Sequence, residues 1–592
     1  MKFPYGISNF VTIRKEAFTY LDRTASIPAI EAAGKQLLFL RPRRFGKSLL
    51  ISTLSSYYDL KQADQFATLF GDLAIGQNPT PEHNQYMVLQ WDFSMVSAQG
   101  DIEQIKQSLF THINLTIKTF KESYKTYLHR DIDIFADNAI GSFESLYRVV
   151  KESNHQLYLL IDEYDNFANE VLMHNQGDKP RYRALLEGEG VLKTLFKVVK
   201  AGASQGAIAR VFITGVSPVV MSDMTSGYNV SKNVSLEDEF NHLCGITEPE
   251  LSALVASVLQ ACQTETEHTP VMETLRQFYN GYRFSYDMDA PRIYNPILCF
   301  HFLQAYQKGC AAPRNMLDGN LAMDAGRIRY IANLAQGQAV IDSVLDEEQP
   351  ATIAQLASDF GVENLERVEQ DTDYMLSLLY YFGVLTLGGV DDYGSLILKI
   401  PNLVVHALYL EELKRQTLPD IRQEKTAQKI AQQFFRDADL QPVVDFMEQK
   451  YFKVFSNRDY RWSNELTVKT AFASLLYDDL FYVMESEVNA GRRYTDLVMT
   501  VRPSMRQYAL LDVVMEFKYL SLNELGLRGE QLAQMTRTEL AQLPAVQTAL
   551  NNALQQLTQY QQALVQRFQE PQRLHCFAIV ALGFERVVWQ VL

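Results

Sequence analysis

Residues 36 to 50 read QLLFLRPRRFGKSLL, an apolar run, a tight basic loop, then Gly46-Lys47-Ser48. That triplet, placed between a strand and a helix, suits a phosphate group. The helix N-terminus offers unpaired N–H groups, the Lys47 ammonium can reach the β- and γ-phosphates of a nucleotide, and the Ser48 hydroxyl can ligate Mg²⁺. Gly46 lets the backbone approach closely. Arg41 stands where the general pattern G-x-x-x-x-G-K-[ST] has its first glycine. Arg43 and Arg44 add positive charge, which either stabilises a triphosphate or forms a solvated basic turn. A Gly-Lys-Ser triplet alone is common by chance, so its partners decide. In LYLLIDEYDNF the apolar run Leu157 to Ile161 ends in Asp162-Glu163. Ligands of open α/β sheets sit at the C-terminal strand edge, where Asp162 can hold the Mg²⁺ shell and Glu163 can orient an attacking water. A further run, RVFITGVSPVV, reaches Thr214, either a polar sensor of the γ-phosphate or ordinary turn chemistry before a glycine.

Groups so placed require a sheet with helical crossovers. The predicted strands are Gln36 to Leu40, Tyr86 to Trp91, Gln156 to Ile161 and Arg210 to Thr214, with helix-length segments such as Asp101 to Tyr124 and Gly190 to Gln205 between them. Alternation of this kind predicts an α/β fold with a mostly parallel sheet. At 592 residues the chain exceeds one ordinary core and is expected to be multidomain. Its apolar content of 47% excludes a largely disordered chain. A net charge of -15 argues against a surface coated all over with nucleic acid, so any DNA contact must be a local basic channel. The five cysteines are scattered without a C-x-x-C pair, implying buried thiols rather than zinc or a disulfide framework. The start MKFPYGISNF has no basic flank before an apolar run, and no stretch approaches a membrane-spanning length, which reads as a soluble cytoplasmic protein.

From Glu248 to Ala438 apolar residues recur at helical spacing, interrupted by a β-like stretch from Val384 to Ile400 rich in Gly and Asp. A helical region with a winged-helix-like unit is expected. After Gln441 strands return, Tyr494 to Val501 and Tyr508 to Leu520, joined by RPSMR, and Glu530 to Gln572 reads as Gln-rich helices.

The segments YGISNFVTIRKEAFTYLDRT, FLRPRRFGKSLLISTL, LLIDEYDNF, VFITGVSPV and FYNGYRFSYD with IYNPI, together with the C-terminal strands, carry a resemblance. They resemble the prokaryotic AAA-ATPase-like proteins that bear a C-terminal PD-(D/E)XK nuclease domain. The resemblance implies that Arg41 is a family trait, and it marks Tyr279 to Arg283 as a second block, with Arg283 either a γ-phosphate sensor or a surface arginine. It also implies a nuclease core in GRRYTDLVMTV and YALLDVVMEFKYL, with Asp496 on one strand and Glu516-x-Lys518 on the next. Residues two apart share a strand face, so Glu516 and Lys518 can point into a cleft while Phe517 packs inward. Charge in an otherwise apolar strand is costly without a function, although E-x-K also occurs as a surface ion pair. Asp496 and Glu516 would bind Mg²⁺, and Lys518 would orient water and offset charge on the phosphorus oxygens. Glu465, opening a helix in SNELTVKTAFASLLY, would add a carboxylate, although Val468 and Lys469 depart from the family pattern there. Gln556 and Tyr560 lie one helical turn apart, as in a substrate-side pair of related nucleases, or by chance in a Gln-rich segment.

The expectation is an α/β multidomain chain, with a P-loop NTPase parallel sheet over 1–247, a helical and winged-helix-like region over 248–440, and a PD-(D/E)XK-like α/β core over 441–592. ATP and Mg²⁺ are the expected cofactors and DNA the expected partner, with no membrane and self-association left open. The favoured function is an ATPase coupled to a Mg²⁺-dependent nuclease in DNA processing or defence against foreign DNA. The alternative is a signalling or scaffold ATPase whose nuclease-like fold binds nucleic acid or protein without cutting.

Overall fold

The computed structural model describes residues 1–173, 190–218, 228, 230–262, 268–317, 322–334, 336–346, 349–358, 360, 371–418, 420–453, 465–485, 488–489, 494–567 and 570–592. The chain divides into two compact units. One comprises Met1–Cys310, Gly326–Val340 and Ala351–Pro401, and the other Ala311–Ala325, Ile341–Pro350 and Asn402–Leu592.

The first unit is built on β1 (Gln36–Leu40), β2 (Met87–Asp92), β3 (Leu157–Asp162), β4 (Ile208–Gly215) and the two-residue β5 (Lys232–Asn233). Their order is β2-β3-β4-β1-β5, and every pairing is parallel. Parallel sheets are covered on both faces, which is why LYLLID is buried at every position. The crossovers include α1 (Lys47–Tyr58), α2 (Ile102–Ser123), α3 (Ala139–Glu152), α4 (Asn166–Met173) and α5 (Val191–Ser204). Asp101 caps α2 reciprocally with Gln104, each side chain accepting from the other's backbone N–H. A parallel sheet with flanking helices fits a P-loop NTPase-like fold. The sheet sets β4 between β1 and β3, so Thr214 lies beside Phe39 of β1 and one strand away from Asp162.

Two further helices, α6 (Glu248–Cys262) and α7 (Pro296–Gly309), pack together in this unit. Cys262 and Cys310 at their ends form a disulfide, with Cα atoms 5.6 Å apart. The sequence reading expected only separate thiols. Their sequence separation of 48 hides a proximity that helix packing creates. Farther on, α8 (Thr372–Tyr381) precedes an antiparallel hairpin of β7 (Thr386–Val390) and β8 (Leu396–Lys399), and β6 (Thr352–Ile353) pairs with β8.

The second unit holds α9 (Leu403–Thr417), α10 (Ile421–Asp437) and α11 (Glu465–Leu476), followed by a mixed sheet. Its strands are β9 (Tyr482–Glu485), β12 (Leu497–Val501), β13 (Asp512–Leu520), β14 (Leu574–Leu582) and β15 (Arg586–Val591), in the order β15-β14-β13-β12-β9. A small ladder, β10 (Val488–Asn489) with β11 (Tyr494–Thr495), precedes β12. β13 is antiparallel to β12 and parallel to β14, and α12 (Pro544–Arg567) lies in the connection to β14. β13 begins at Asp512, four residues later than the apolar pattern suggests. Asp512 accepts from Val501 N at 2.8 Å and pairs with Arg506 at 2.8 Å, so side-chain bonds hold the approach to the strand. Val513, Met515 and Phe517 enter one core and Val514 the other, which gives the strand the expected alternation. Among the described residues, no helix is long and apolar enough to cross a membrane.

Candidate functional site

The loop after β1 is anchored from beneath by Arg41, which is 1% exposed. Its Nη1 donates to the carbonyls of Leu40 at 2.8 Å and Ser235 at 2.6 Å, and its Nη2 to that of Phe240 at 2.6 Å. The guanidinium lies between the rings of Phe39 and Phe284, 4.3 Å from each centroid, and burial pushes its pKa down to about 10. Arg41 thus replaces a glycine as an internal brace. The block FYNGYRF supplies part of that brace, because Tyr282 and Phe284 also pack edge-on against Phe45 of the loop, at 4.8 and 5.2 Å.

Gly46 ends the loop at φ +100°, and a Cβ there would meet nothing within 4 Å, so backbone conformation rather than space calls for glycine. Lys47 opens α1, and its Nζ donates to the carbonyls of Arg41 at 3.0 Å and Pro42 at 3.1 Å. Ser48 follows on the same first turn, half-buried. Arg43 donates from Nη2 to Asn166 Oδ1, and Arg44 sits in the left-handed region at φ +67°.

At the end of β3 the Asp162 carboxylate is buried and accepts from the Thr214 hydroxyl and from Glu163 N, the latter at 3.0 Å. Thr214 is therefore bonded to the first acid. Burial raises the Glu163 pKa, Lys47 and Arg43 oppose the rise, and Asp165 and Asp162 add to it. The two sequence motifs thus share one electrostatic neighbourhood. Glu163 itself is held at φ +52°, a conformation costly for a residue with a Cβ.

Asp165, which the sequence reading passed over, fastens this turn. Its carboxylate accepts from Val216 N, Ser217 N, Ser217 Oγ and Asn169 Nδ2, at 2.6 to 3.2 Å. Tyr164 adds a bond from its hydroxyl to the Ser217 carbonyl at 2.7 Å. Gly215 admits this approach, since a Cβ would lie 2.4 Å from the Tyr164 ring and 2.5 Å from Asp165. The available signal was Asp165-Asn166 one residue after Asp162-Glu163, polar residues continuing past the end of a buried strand.

In the second unit Asp496 precedes β12 and its Oδ2 accepts from Phe517 N at 2.7 Å. Glu516, on β13, is 2% exposed. Lys518 Nζ donates to Glu516 at 3.1 Å, to Glu465 at the start of α11 at 3.2 Å, and to the Phe517 carbonyl at 2.7 Å. Burial raises the Glu516 pKa to about 8, Asp496 and Glu465 reinforce the rise, and Lys518 opposes it. All four sequence-predicted groups thus meet. Among the described residues no group of three or more His, Cys, Asp and Glu side chains is arranged to hold a metal ion. Glu516 Oε2 is nevertheless buried without a hydrogen-bond partner. Carboxylate oxygens are the donors that hard cations such as Mg²⁺ take, so Asp496 and Glu516 fit such an ion by chemistry. Gln556 lies on α12, while the side chain of Tyr560 falls outside the described residues.

Comparison with known proteins follows the same division. A curated relative, an uncharacterized protein from the vnfD 5' region of Azotobacter chroococcum mcd 1, is 24% identical over 429 residues, 71% of each chain. Among solved structures, the Walker-type ATPase of Pyrococcus abyssi aligns with 65% of this chain and 94% of its own, at 12% identity and a TM-score of 0.39. The Aeropyrum pernix ORC1 protein in complex with DNA aligns with 66% of this chain and 90% of its own, at 10% identity and a TM-score of 0.24. Residues 4–225 match the family model of the predicted AAA-ATPases, and residues 463–590 match that of the PD-(D/E)XK nuclease superfamily. The chain thus carries an N-terminal AAA-ATPase-like domain and a C-terminal domain of the PD-(D/E)XK nuclease superfamily.

Proposed function

We propose that the first domain binds and hydrolyses ATP and that the C-terminal domain cleaves the phosphodiester backbone of DNA with Mg²⁺, nucleotide state controlling access to the second site. A role in DNA processing or in defence against foreign DNA follows from that pairing. The observation that carries the nuclease reading is the cluster of Glu465, Asp496 and Lys518 around the buried Glu516, with one Glu516 oxygen unpartnered. A buried carboxylate oxygen without a partner is expensive, and a site that tolerates one has a use for it. Asp496 and Glu516 would hold Mg²⁺ there, and Ser48 and Asp162 would hold it beside the nucleotide. The ion, when bound, supplies polarisation of a phosphorus oxygen and a more acidic water. Lys518 balances the charge of Glu465 and Glu516 and is placed to offset negative charge developing on the phosphate. In the first domain Lys47 exchanges its two loop carbonyls for phosphate oxygens, with Arg43 and Arg44 adding charge. Glu163, its pKa raised by burial, accepts a proton from water better than an ordinary carboxylate. The hairpin of β7 and β8 after α8 serves as the winged-helix-like element of a middle region.

The test compares wild type with Glu516→Ala, Lys518→Ala and Lys47→Ala. Both C-terminal variants should lose Mg²⁺-dependent DNA cleavage, and Lys47→Ala should lose ATP binding. Equal cleavage by wild type and both C-terminal variants removes the site. Undiminished DNA affinity without cleavage by any of them, under every metal and nucleotide tried, selects a scaffold ATPase whose nuclease-like fold only binds.

A further inference from the structure

A second concentration of positive charge lies away from the loop that follows β1. Tyr282 and Ile293 form an isolated antiparallel bridge and exchange both backbone hydrogen bonds, at 3.3 and 2.8 Å, so the next pair inward, Arg283 and Arg292, lies opposite across it. Like charges directly opposite in such a pair repel. Arg283 is only 7% exposed. Its Nε has no hydrogen-bond partner, and its Nη1 reaches the thioether of Met288 at 3.1 Å, a weak acceptor. Among the described residues neither arginine has a carboxylate partner. Burial lowers the Arg292 pKa, and the charge of Arg283 lowers it further.

The backbone beneath Arg283 is fixed. Its N–H donates to Thr386 Oγ1 at 2.9 Å, and its carbonyl accepts from the Tyr380 hydroxyl at 3.2 Å. Tyr282 and Phe284 face Phe45, so strand alternation turns Arg283 away from the nucleotide loop. A fixed backbone thus holds two neighbouring cations together, one with an unsatisfied donor.

We propose that Arg283 and Arg292 form a binding site for a phosphate-class oxyanion, separate from the nucleotide loop. Guanidinium groups present forked donors that match tetrahedral phosphate oxygens, and a doubly charged anion offsets both cations at once. The anion is either free phosphate or a backbone phosphate of DNA.

The experiment uses the full chain carrying Lys47→Ala, which removes phosphate binding at the loop, and follows thermal unfolding with inorganic phosphate or duplex DNA at constant ionic strength. Phosphate should raise the midpoint by about 2–4 °C at concentrations near tenfold the dissociation constant. Adding Arg292→Gln should abolish that rise and raise the midpoint in phosphate-free buffer, because one of two facing cations is gone. Arg292→Lys should recover part of the rise. A response to DNA but not to inorganic phosphate, lost in Arg292→Gln, assigns the site to a backbone phosphate. The proposal is overturned if Lys47→Ala alone abolishes both responses, if Arg292→Gln leaves them intact, or if Arg292→Gln lowers the phosphate-free midpoint.

Discussion

Two buried charges, Arg41 and Glu516, show how burial can serve opposite ends. Arg41 has three backbone carbonyls and two aromatic faces, so its charge is well matched. Removing it leaves those carbonyls orphaned, and Arg41→Ala should cost on the order of 3–5 kcal/mol of stability. Arg41→Lys should recover only part of this, because an ammonium cannot reproduce the planar fork. Urea unfolding measures both, and unchanged stability together with lost ATP affinity would make Arg41 a phosphate ligand instead of a brace. Glu516 is the opposite case, with its pKa raised from 4.5 to about 8. The folded form keeps its proton where the unfolded form has lost it. Stability is therefore full below pH 4.5 and declines as pH rises to about 8, by on the order of 2–4 kcal/mol. In chelator, the urea midpoint of the C-terminal unit should fall across that window. Glu516→Gln should flatten the decline, and Mg²⁺ should shrink it in wild type by favouring the ionised form. A decline of the same size in the glutamine variant would place its origin elsewhere.

At the scale of elements, the turn after β3 depends on the end of β4. Glu163 occupies a costly backbone conformation, and Asp165 and Tyr164 hold it there through Val216 and Ser217. Asp165→Ala should cost about 2–4 kcal/mol by orphaning buried donors. It should also lower kcat for ATP hydrolysis about tenfold or more while KM moves less than about threefold, since a displaced Glu163 affects chemistry more than phosphate binding. Steady-state kinetics separate the two, and a rise in KM alone would refute a positioning role. The strands carrying these groups were legible, because LYLLI and QLLFL are apolar runs whose ends hold the polar residues. The meeting of Glu516, Lys518 and Asp496 was legible through the family resemblance that marked the two strands, with strand alternation setting Glu516 and Lys518 on one face. Asp165 was not, since apart from Asn169 its partners lie more than fifty positions away at the end of another strand. Nor was the use of Arg41, as a basic loop reads the same whether its guanidinium faces phosphate or the interior. The Cys262–Cys310 pairing and the two-residue β5 depend on packing that no local pattern records.

The whole molecule places its two candidate chemistries in separate compact units. The charges near the nucleotide loop and those of the C-terminal quartet rest on different sheets. Perturbations of groups in separate cores add when they share no partners. Scanning calorimetry of the full chain should therefore show two transitions. Arg41→Ala should lower one and leave the other in place, while Glu516→Gln at pH 8 should move only the second. The double variant should show both shifts, each the size seen in the single variant. ATP should raise the first transition in wild type and lose that effect in Lys47→Ala, because a ligand stabilises only the fold that binds it. A single transition displaced by every substitution would mean that the units unfold together and that stability in one is set by the other.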